Sequence, residues 1–286
     1  MTDIAVAPRR RTLGLGRLAS VDPIFAVALA VIGLLVLLAV VGPLLCPYGP
    51  DDVDILNANQ PPSAVHWFGT DALGRDVFTR IVYGARLSLL GPAIVTVVAT
   101  VSGTALAITG AWRGGLLDRA MVRVLDVVFA FPALLFAVLA VAVLGTGLVA
   151  PTIALSIAYI PYITRFLRSV AIGQRNLPYI DSAELLGFPS MHVARRHLLP
   201  NIRLFIIAQA TLTFGYALID LAAISFIGLG VQPPAAEWGL MVGDGAAALL
   251  NGYPWEVAAA GAFIVIVVVA FNIVGERLTA LAEARA

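Results

Sequence analysis

Long apolar stretches alternate with short polar ones along the 286-residue chain. A helix needs about 20 apolar residues to cross the hydrocarbon core of a bilayer. The stretches that are long and apolar enough cover residues 24–45, 87–112, 120–145, 148–166, 204–228 and 257–274. The third and fourth meet at the glycine-rich turn LGTGLVAP, which is typical of one helix ending and the next beginning. The pattern predicts an all-α integral membrane protein with six transmembrane helices. Pro132, Pro151 and Pro161 are expected to bend helices around a cavity or only to kink them.

The polar segment over residues 46–86 ends in a short amphipathic stretch. Apolar residues recur there at helical spacing, at Val77, Phe78, Ile81 and Val82, while charged residues lie elsewhere around the helix. This spacing predicts an interfacial helix that leads into the second span.

A second outer segment, residues 229–256, contains three acids and no base. Its aromatic residues Trp238, Tyr253 and Trp255 are of the types enriched where lipid meets water, so we expect them at that boundary. Glu237 and Trp238 either hold the segment together or contact another protein or the transported molecule.

A polar insert at residues 173–201 separates the fourth and fifth spans and contains the stretch DSAELLGFPSMHVARRHLLPN. Pro178 lies in the first turn of one short helix, and Gly187 supplies the left-handed turn that ends it. Pro189 begins a second short helix, and Pro200 is expected to keep that helix from continuing into the fifth span. Each helix has about ten residues, is only marginally stable alone and needs a surface to pack on.

Composition supports a membrane location, because 60% of the residues are hydrophobic and only 12% are charged, with a mean hydropathy of +0.95. All 18 basic residues are arginines, whereas a P-loop ATPase needs the lysine of GxxxxGK(S/T) to reach the nucleotide phosphates. The chain is therefore not a P-loop ATPase by itself. If ATP drives it, ATP and Mg²⁺ bind to partner subunits, and we predict no cofactor, metal site or catalytic constellation in this chain.

Arginine placement predicts the topology, since cytoplasmic loops of membrane proteins carry the excess of positive charge. Most of the 18 arginines fall on one predicted side. They are Arg9, Arg10, Arg11, Arg17, Arg113, Arg119, Arg123, Arg165, Arg168, Arg175, Arg195, Arg196, Arg203, Arg277 and Arg285. Both termini and the insert are therefore predicted to be cytoplasmic.

Three interpretations of the insert remain open from the residues alone. It is a cytoplasmic loop without a partner, a helix-turn-helix that binds DNA through Arg195 and Arg196, or a docking element for a separate ATP-driven subunit. The insert lies between two spans and lacks a basic recognition face, so we predict no nucleic acid partner. The missing lysine favours docking, because the energy source then lies in another chain. Arg195 and Arg196 are equally well placed to contact lipid headgroups.

The insert resembles the EAA loop of ABC-importer permeases, whose pattern is EAA, three residues, Gly, nine residues and then I-x-L-P. Asp181, Ser182 and Ala183 occupy the EAA positions, Gly187 falls on the glycine, and residues 199–200 fall on the closing Leu-Pro pair. The sequence departs from the pattern with Asp for Glu, Ser for Ala and a histidine for the isoleucine. The resemblance implies a pair of coupling helices that docks on an ATPase.

Two outer stretches narrow the resemblance. FGTDALGRDVFTRIVYGARLSL, residues 68–89, is similar to the FGTDxxGRDxxSRxxxGxRxSL segment of DppC/OppC-type permeases, the dipeptide, oligopeptide and nickel group. SFIGLGVQPPAAEWG, residues 225–239, is similar to SFLGLGxxPPxPEWG in the same group. Together with the insert, these motifs follow the order found in that family.

The resemblance implies a type I ABC importer permease fold with cytoplasmic EAA coupling helices, in the inner membrane of a bacterium. It implies a transporter subunit that is not an enzyme and moves di- or oligopeptides, or alternatively nickel or another small solute. The implied partners are a second, DppB-like permease subunit, two ABC ATPase subunits and an extracytoplasmic substrate-binding protein. The chain divides into residues 1–86, with the first span and outer loop, and a permease core over residues 87–286, with the EAA loop at about 173–201.

The candidate functional residues form three groups. For docking on the ATPase they are Asp181, Ser182, Ala183, Glu184, Leu185, Leu186, Gly187, Phe188, Pro189, Met191 and Pro200. For the outer-loop motif they are Gly69, Thr70, Asp71, Gly74, Arg75 and Asp76, and the charged ones either form a local ion-pair cluster or contact the binding protein or cargo. Asp220, in the fifth span, is a candidate pathway residue, because charge within a membrane is costly and tends to be functional.

Several contacts of these residues stay open. The apolar docking residues either fill a groove of the ATPase or pack on helix ends of this chain. Asp220 contacts either a peptide amine or a polar group on a neighbouring span, and Asp126 is expected to pair with Arg123. An ion-coupled secondary transporter is the alternative function class; Asp220 is the one plausible coupling acid, and the sequence has no internal repeat.

Overall fold

The computed structural model describes residues 22–284. Within that range the α-helices are α1 (Pro23–Val41), α2 (Val77–Arg113), α3 (Gly115–Phe129), α4 (Ala133–Leu144), α5 (Val149–Arg175), α6 (Pro178–Leu185), α7 (Ser190–Val193), α8 (Leu199–Phe226), α9 (Trp238–Asp244), α10 (Ala246–Leu250) and α11 (Trp255–Glu283). Arg9, Arg10, Arg11, Arg17 and Arg285, which contribute to the predicted topology, lie outside the described residues.

Five of the helices, α1, α2, α5, α8 and α11, are long and apolar enough to cross a membrane, and α3 with α4 makes a sixth span if the bent pair is counted as one. Each of the six apolar stretches in the sequence therefore corresponds to one of these spans. The predicted all-α membrane architecture is confirmed.

The third predicted span, residues 120–145, is two helices rather than one. α3 ends at Phe129, α4 begins at Ala133, and the pair is bent by 78°. Pro132 precedes α4 with φ −55° and ψ 129°, and it has no N–H to continue the hydrogen bonds of α3. Proline also disfavours the α conformation of the residue before it. The predicted bend at Pro132 is therefore a break.

α2 runs without interruption over 37 residues, from Val77 to Arg113. The stretch predicted to be a separate interfacial helix forms its first turns, and Val77, Ile81 and Val82 are buried by protein. The helical spacing is confirmed, but this apolar face packs on Trp238 of α9 and on neighbouring side chains, not on lipid. The predicted division at residue 86 falls within α2 and stays a prediction.

Small residues let the central helices approach closely. α2 packs along α5 and α8, and α8 packs along α11. A Cβ placed on Gly103 of α2 would lie 2.8 Å from Cγ2 of Ile163 on α5, and one on Gly239 of α9 would lie 2.4 Å from the Ala222 carbonyl oxygen of α8. Close backbone approach of this kind drives helix association in lipid, where the hydrophobic effect between helices is absent.

We predict that Gly239→Ala destabilises the protein. The new methyl group meets backbone atoms of Ala222, which cannot rotate away, so α9 must move off α8. Overpacking of this kind typically costs about 1–3 kcal/mol. The midpoint of thermal unfolding of the detergent-solubilised protein is expected to fall by at least about 3 °C.

Gly261→Ala in α11 is the matched control, because no atom lies within 4 Å of a Cβ added there. Alanine has a higher helix propensity than glycine, so this variant should unfold at an unchanged or slightly higher temperature. Equal midpoints for the two variants would contradict the close approach of α8 and α9.

Candidate functional site

The insert at residues 173–201 folds as a tight corner between α5 and α8. α6 ends beside Gly187, whose φ is +79°, in the left-handed region that favours glycine. The Gly187 N–H donates to the Glu184 carbonyl (2.9 Å), and the Phe188 N–H donates to the Ala183 carbonyl (3.3 Å). These bonds satisfy the last carbonyls of α6. The predicted left-handed turn at Gly187 is confirmed.

The second half of the insert differs from the prediction at Pro200. α7 follows Pro189 and continues through a π-helical turn, Ala194–Leu198, directly into α8. The Leu199 N–H donates to the Ala194 carbonyl, a wider spacing than in an α-helix. Pro200 lies in the first turn of α8, where a missing N–H is tolerated. The prediction that Pro200 separates the second short helix from the fifth span is wrong, because the π turn accommodates the proline.

One side of the insert is anchored to its own chain. Ile180, Ala183 and Val193 are buried and pack together with Trp112 and Tyr179. The residue at the third EAA position, Ala183, is therefore a small side chain that lets α6 approach α7 and the end of α2.

Polar contacts reinforce this anchor. The Arg175 guanidinium donates to the Ala111 and Trp112 carbonyls, at 2.5 and 2.6 Å, and lies 5.2 Å from the Trp112 ring centroid. A cation at these carbonyls complements the negative end of the α2 dipole. The Tyr179 hydroxyl accepts a hydrogen bond from the Asn201 side chain at 3.0 Å. The insert is thus fixed to both α2 and α8.

The opposite side of the insert is exposed and apolar. Leu185 is 89% exposed, Leu186 76%, Met191 69% and Phe188 44%. The Phe188 ring stacks on His192 with centroids 5.1 Å apart. The sequence left open whether these apolar side chains pack on helix ends of this chain. Leu185, Leu186 and Met191 are largely exposed, whereas Phe188 lies against His192 of α7.

Four of the charged residues of the insert are exposed as well. Asp181 and Glu184 lie on the surface of α6, and Arg195 and Arg196 lie on the π turn. Among the described residues none of these four takes part in an ion pair. Ser182 instead donates to the Pro178 carbonyl of its own helix at 2.8 Å. The insert therefore presents an apolar surface with charged side chains of both signs beside it.

The outer-loop motif folds into a buried ion-pair cluster. Asp71 accepts hydrogen bonds from Arg75 Nε at 2.6 Å and from two backbone N–H groups at 2.8 and 2.9 Å. Asp71 and Arg75 are 2% and 6% exposed. Gly69 and Gly74 have φ of +77° and +75°, and a Cβ on Gly74 would lie 1.7 Å from the Asp54 carbonyl oxygen. The sequence left two roles open for these charged residues, a local ion-pair cluster or contact with the binding protein or cargo. The structure shows the local ion-pair cluster.

Asp76 and Thr70 fasten the same loop to the start of α2. Asp76 caps the helix, because its Oδ2 accepts the Thr79 N–H at 2.8 Å, and its Oδ1 lies 3.0 Å from His66 Nδ1. The Thr70 hydroxyl donates to the Asn57 carbonyl at 2.5 Å. Both side chains therefore hold the loop together from within.

Arg80, which the sequence analysis did not single out, lies inside this cluster and is fully buried. Its Nη1 donates to the Pro50 carbonyl at 2.9 Å and to the Pro234 carbonyl at 3.4 Å, and its Nε lies 3.7 Å from Asp71 Oδ2. Arg80 therefore joins the loop before α2 to the segment after α8. One feature of the sequence could have indicated this role: Arg80 is one of the few arginines that do not lie on the predicted cytoplasmic side.

Glu237 and Trp238 hold the start of α9. Glu237 accepts two backbone N–H groups of α9, at 2.9 and 2.8 Å, and the Ser88 hydroxyl at 3.2 Å. Burial raises the pKa of Glu237, and the backbone donors oppose that rise. Trp238 is fully buried and donates to the Ile81 carbonyl at 2.9 Å. The prediction that Trp238 lies at the lipid boundary is wrong, because α2 supplies an acceptor for its indole N–H.

Asp220, the candidate pathway residue, lies half-buried between α5 and α8. Its Oδ2 accepts a hydrogen bond from the Tyr159 hydroxyl at 2.8 Å. A polar group on a neighbouring span is therefore one partner of Asp220, as one of the two interpretations expected. Between residues 22 and 284, no group of three or more His, Cys, Asp or Glu side chains is arranged to hold a metal ion.

Two cross-helix ion pairs tie α3 to α5. Asp126 pairs with Arg165, so the expected pairing of Asp126 with Arg123 is wrong. Asp118 pairs with Arg168, whose Nε lies 2.7 Å from Asp118 Oδ1. The partners are 39 and 50 residues apart in sequence, so local spacing gave no indication of them.

Family models match most of this architecture. The model described as the binding-protein-dependent transport system inner membrane component matches residues 99–286. The model described as the N-terminal TM domain of oligopeptide transport permease C matches residues 21–62.

Individual relatives and a solved structure agree with these matches. The dipeptide transport system permease protein DppC of Alkalihalophilus pseudofirmus is 40% identical over 87% of this chain and 84% of its own length. The oligopeptide transport system permease protein OppC of Bacillus subtilis is 36% identical over 88% and 82%. The inward-facing MetNI methionine ABC transporter shares the fold, with a TM-score of 0.57 at 18% identity over 72% of this chain and 96% of the matched chain. The chain belongs to the family of binding-protein-dependent transport system inner membrane components and has the type I ABC importer permease fold.

Proposed function

We propose that this chain is the permease subunit of an ATP-driven importer that moves di- or oligopeptides into the cytoplasm. The observation that carries the proposal is the exposed apolar side of the insert, held on a corner that is anchored to α2 and α8. An exposed apolar surface of this kind marks a site of protein–protein contact. Peptides are the proposed cargo because the relatives are named for dipeptide and oligopeptide transport.

The proposed assembly adds a second, DppB-like permease subunit, two ABC ATPase subunits and an extracytoplasmic substrate-binding protein. The ATPase subunits bind ATP and Mg²⁺, which agrees with the absence of lysine from this chain. In the proposed orientation both termini and the insert are cytoplasmic, and the Arg80 cluster is extracytoplasmic. The arginine distribution supports that orientation.

The insert is suited to transmit a displacement from an ATPase. Leu185, Leu186, Phe188 and Met191 are the proposed anchors in a groove of that subunit, and Asp181 and Glu184 of α6 are proposed to pair with its arginines. Because α7 continues into α8 through the π turn, movement of the groove reaches a transmembrane helix without passing through a flexible loop. A flexible loop at this position would absorb the same movement.

We predict that Leu185→Ser and Gly187→Pro each weaken association with the ATPase subunit. The first removes an exposed apolar anchor, and loss of about 1–2 kcal/mol weakens binding roughly five- to thirty-fold. The second imposes φ near −65° where the chain requires +79°, so the corner cannot form. Co-purification of the ATPase subunit with the tagged permease, and its dissociation constant, measure both effects.

Leu250→Ser is the matched control, since Leu250 is also 89% exposed but lies in α10, away from the insert. It should leave ATPase association unchanged, and all three variants should reach the membrane. Normal ATPase binding by both insert variants would refute the docking role.

We predict that the reconstituted complex accumulates dipeptide only when ATP is present. Proteoliposomes that contain this chain with its proposed partners are loaded with ATP or with ADP, and uptake of radiolabelled dialanine is measured. ATP-dependent uptake of nickel, with no uptake of peptide, would assign the other cargo class. Uptake without ATP that is lost in Asp220→Asn would replace the importer with an ion-coupled transporter.

A further inference from the structure

Four polar side chains lie together where α5 meets α8. Tyr159 and Tyr162 are three residues apart on α5, and Tyr216 and Asp220 are four apart on α8, so each pair shares one helix face. The hydrogen bond between Tyr159 and Asp220 brings the two faces together. Tyr162 and Tyr216 are 37% and 43% exposed, while Tyr159 and Asp220 are half-buried. This group therefore reaches the surface of the chain.

The group lies within the depth of the spans. Asp220 is six residues before the end of α8, about 9 Å along the axis, and Tyr159 is ten residues after the start of α5, about 15 Å along its axis. These two helix ends are neighbours, since the Gly147 N–H donates to the Leu229 carbonyl. The carboxylate therefore lies about 9 Å inside the C-terminal end of α8, within a segment long and apolar enough to span a membrane.

A carboxylate at this depth requires a polar environment. Insertion scales assign about 2.5–3.5 kcal/mol to an acid at the centre of a membrane helix, and such acids face a bundle interior or an aqueous path. Tyr159 uses one carboxylate oxygen of Asp220, and the described residues supply no hydrogen bond to the other. That second oxygen is not among the buried polar atoms without a partner, so it is open to a ligand from outside this chain.

We propose that a group of four side chains, the amine site, binds the α-ammonium group of a peptide during its passage. The amine site consists of Asp220, Tyr159, Tyr162 and Tyr216. A primary ammonium donates a charge-assisted hydrogen bond to the open carboxylate oxygen and lies favourably over tyrosine rings. Every unmodified peptide carries this group, so the site accepts peptides of different sequence. The inference rests on the proposed function, because it names the part of the peptide cargo that this chain recognises.

Two variants separate cargo binding from a purely structural hydrogen bond. Asp220→Asn keeps an acceptor for the Tyr159 hydroxyl but removes the charge. Tyr159→Phe removes that hydrogen bond but keeps the charge. In the ATP-loaded proteoliposomes we expect Asp220→Asn to lower the maximal rate of dialanine uptake by about tenfold or more, and Tyr159→Phe by about threefold or less. A loss in Tyr159→Phe that equals or exceeds the loss in Asp220→Asn would overturn the amine site.

Glu276→Gln is the control for removal of a carboxylate, since Glu276 is exposed on α11 and it should transport like the wild type. Co-purification of the ATPase subunit with each variant checks assembly. A wild-type complex that takes up no peptide would reject the proposed function itself. If the wild-type complex takes up peptide and the Asp220→Asn complex takes it up at the same rate, the amine site alone is rejected.

Photocrosslinking supplies a readout that does not depend on transport rate. Tyr216 is replaced by p-benzoylphenylalanine in one complex, and Leu139 of α4, which is 59% exposed, is replaced in another. Irradiation during ATP-driven uptake of radiolabelled dialanine should label the chain at position 216. When the same chain also carries Asp220→Asn, the label should fall by about tenfold. Equal labelling at positions 216 and 139 would contradict passage of the cargo along the α5–α8 face.

Discussion

Hydrocarbon offers no hydrogen bonds, and this constraint determines where the polar groups of the chain lie. Backbone N–H and C=O groups are satisfied within helices across the spans. Most charged side chains are either paired between helices, as Asp118 is with Arg168, or gathered at the ends of the spans. Polar groups within the spans, above all Asp220, carry a free-energy cost there, and ionisable groups in such positions tend to be functional.

The two ends of α8 are held in different ways. Beyond its C-terminal end, Arg80 is fully buried among Asp71 and the Pro50 and Pro234 carbonyls. Removing one partner of such a buried pair typically costs about 3–5 kcal/mol, so this end resists rearrangement. At the N-terminal end, α8 continues into the insert, whose apolar side is exposed. In the proposed assembly, a displacement from the ATPase enters α8 at the insert, and the Arg80 cluster holds the segment that follows the other end of α8.

The sequence predicted those features that depend on local composition. Apolar runs located the spans, and the spacing of the insert predicted the left-handed turn at Gly187. Features that depend on a partner distant in sequence were missed or predicted wrongly. Asp126 of α3 pairs with Arg165 of α5. Trp238 is buried, and the Ile81 carbonyl accepts its indole N–H. Pro200 was misjudged because a proline inside an α-helix usually breaks it, whereas here a π turn precedes Pro200 and the helix continues through it.

The π turn connects the exposed side of the insert to α8, the helix that carries Asp220 of the amine site. From Leu199 to Asp220 the chain is one uninterrupted helix, about 32 Å long at 1.5 Å per residue, and the insert joins it without a flexible loop. A wider hydrogen-bond spacing makes the π turn the point at which this helical segment bends most easily. In the proposed assembly, movement at the exposed side of the insert is divided between bending at residues 194–198 and rotation or translation of α8. Because Asp220 is hydrogen-bonded to Tyr159 on α5, any such motion of α8 relative to α5 changes the geometry of the same carboxylate that is proposed to hold the cargo.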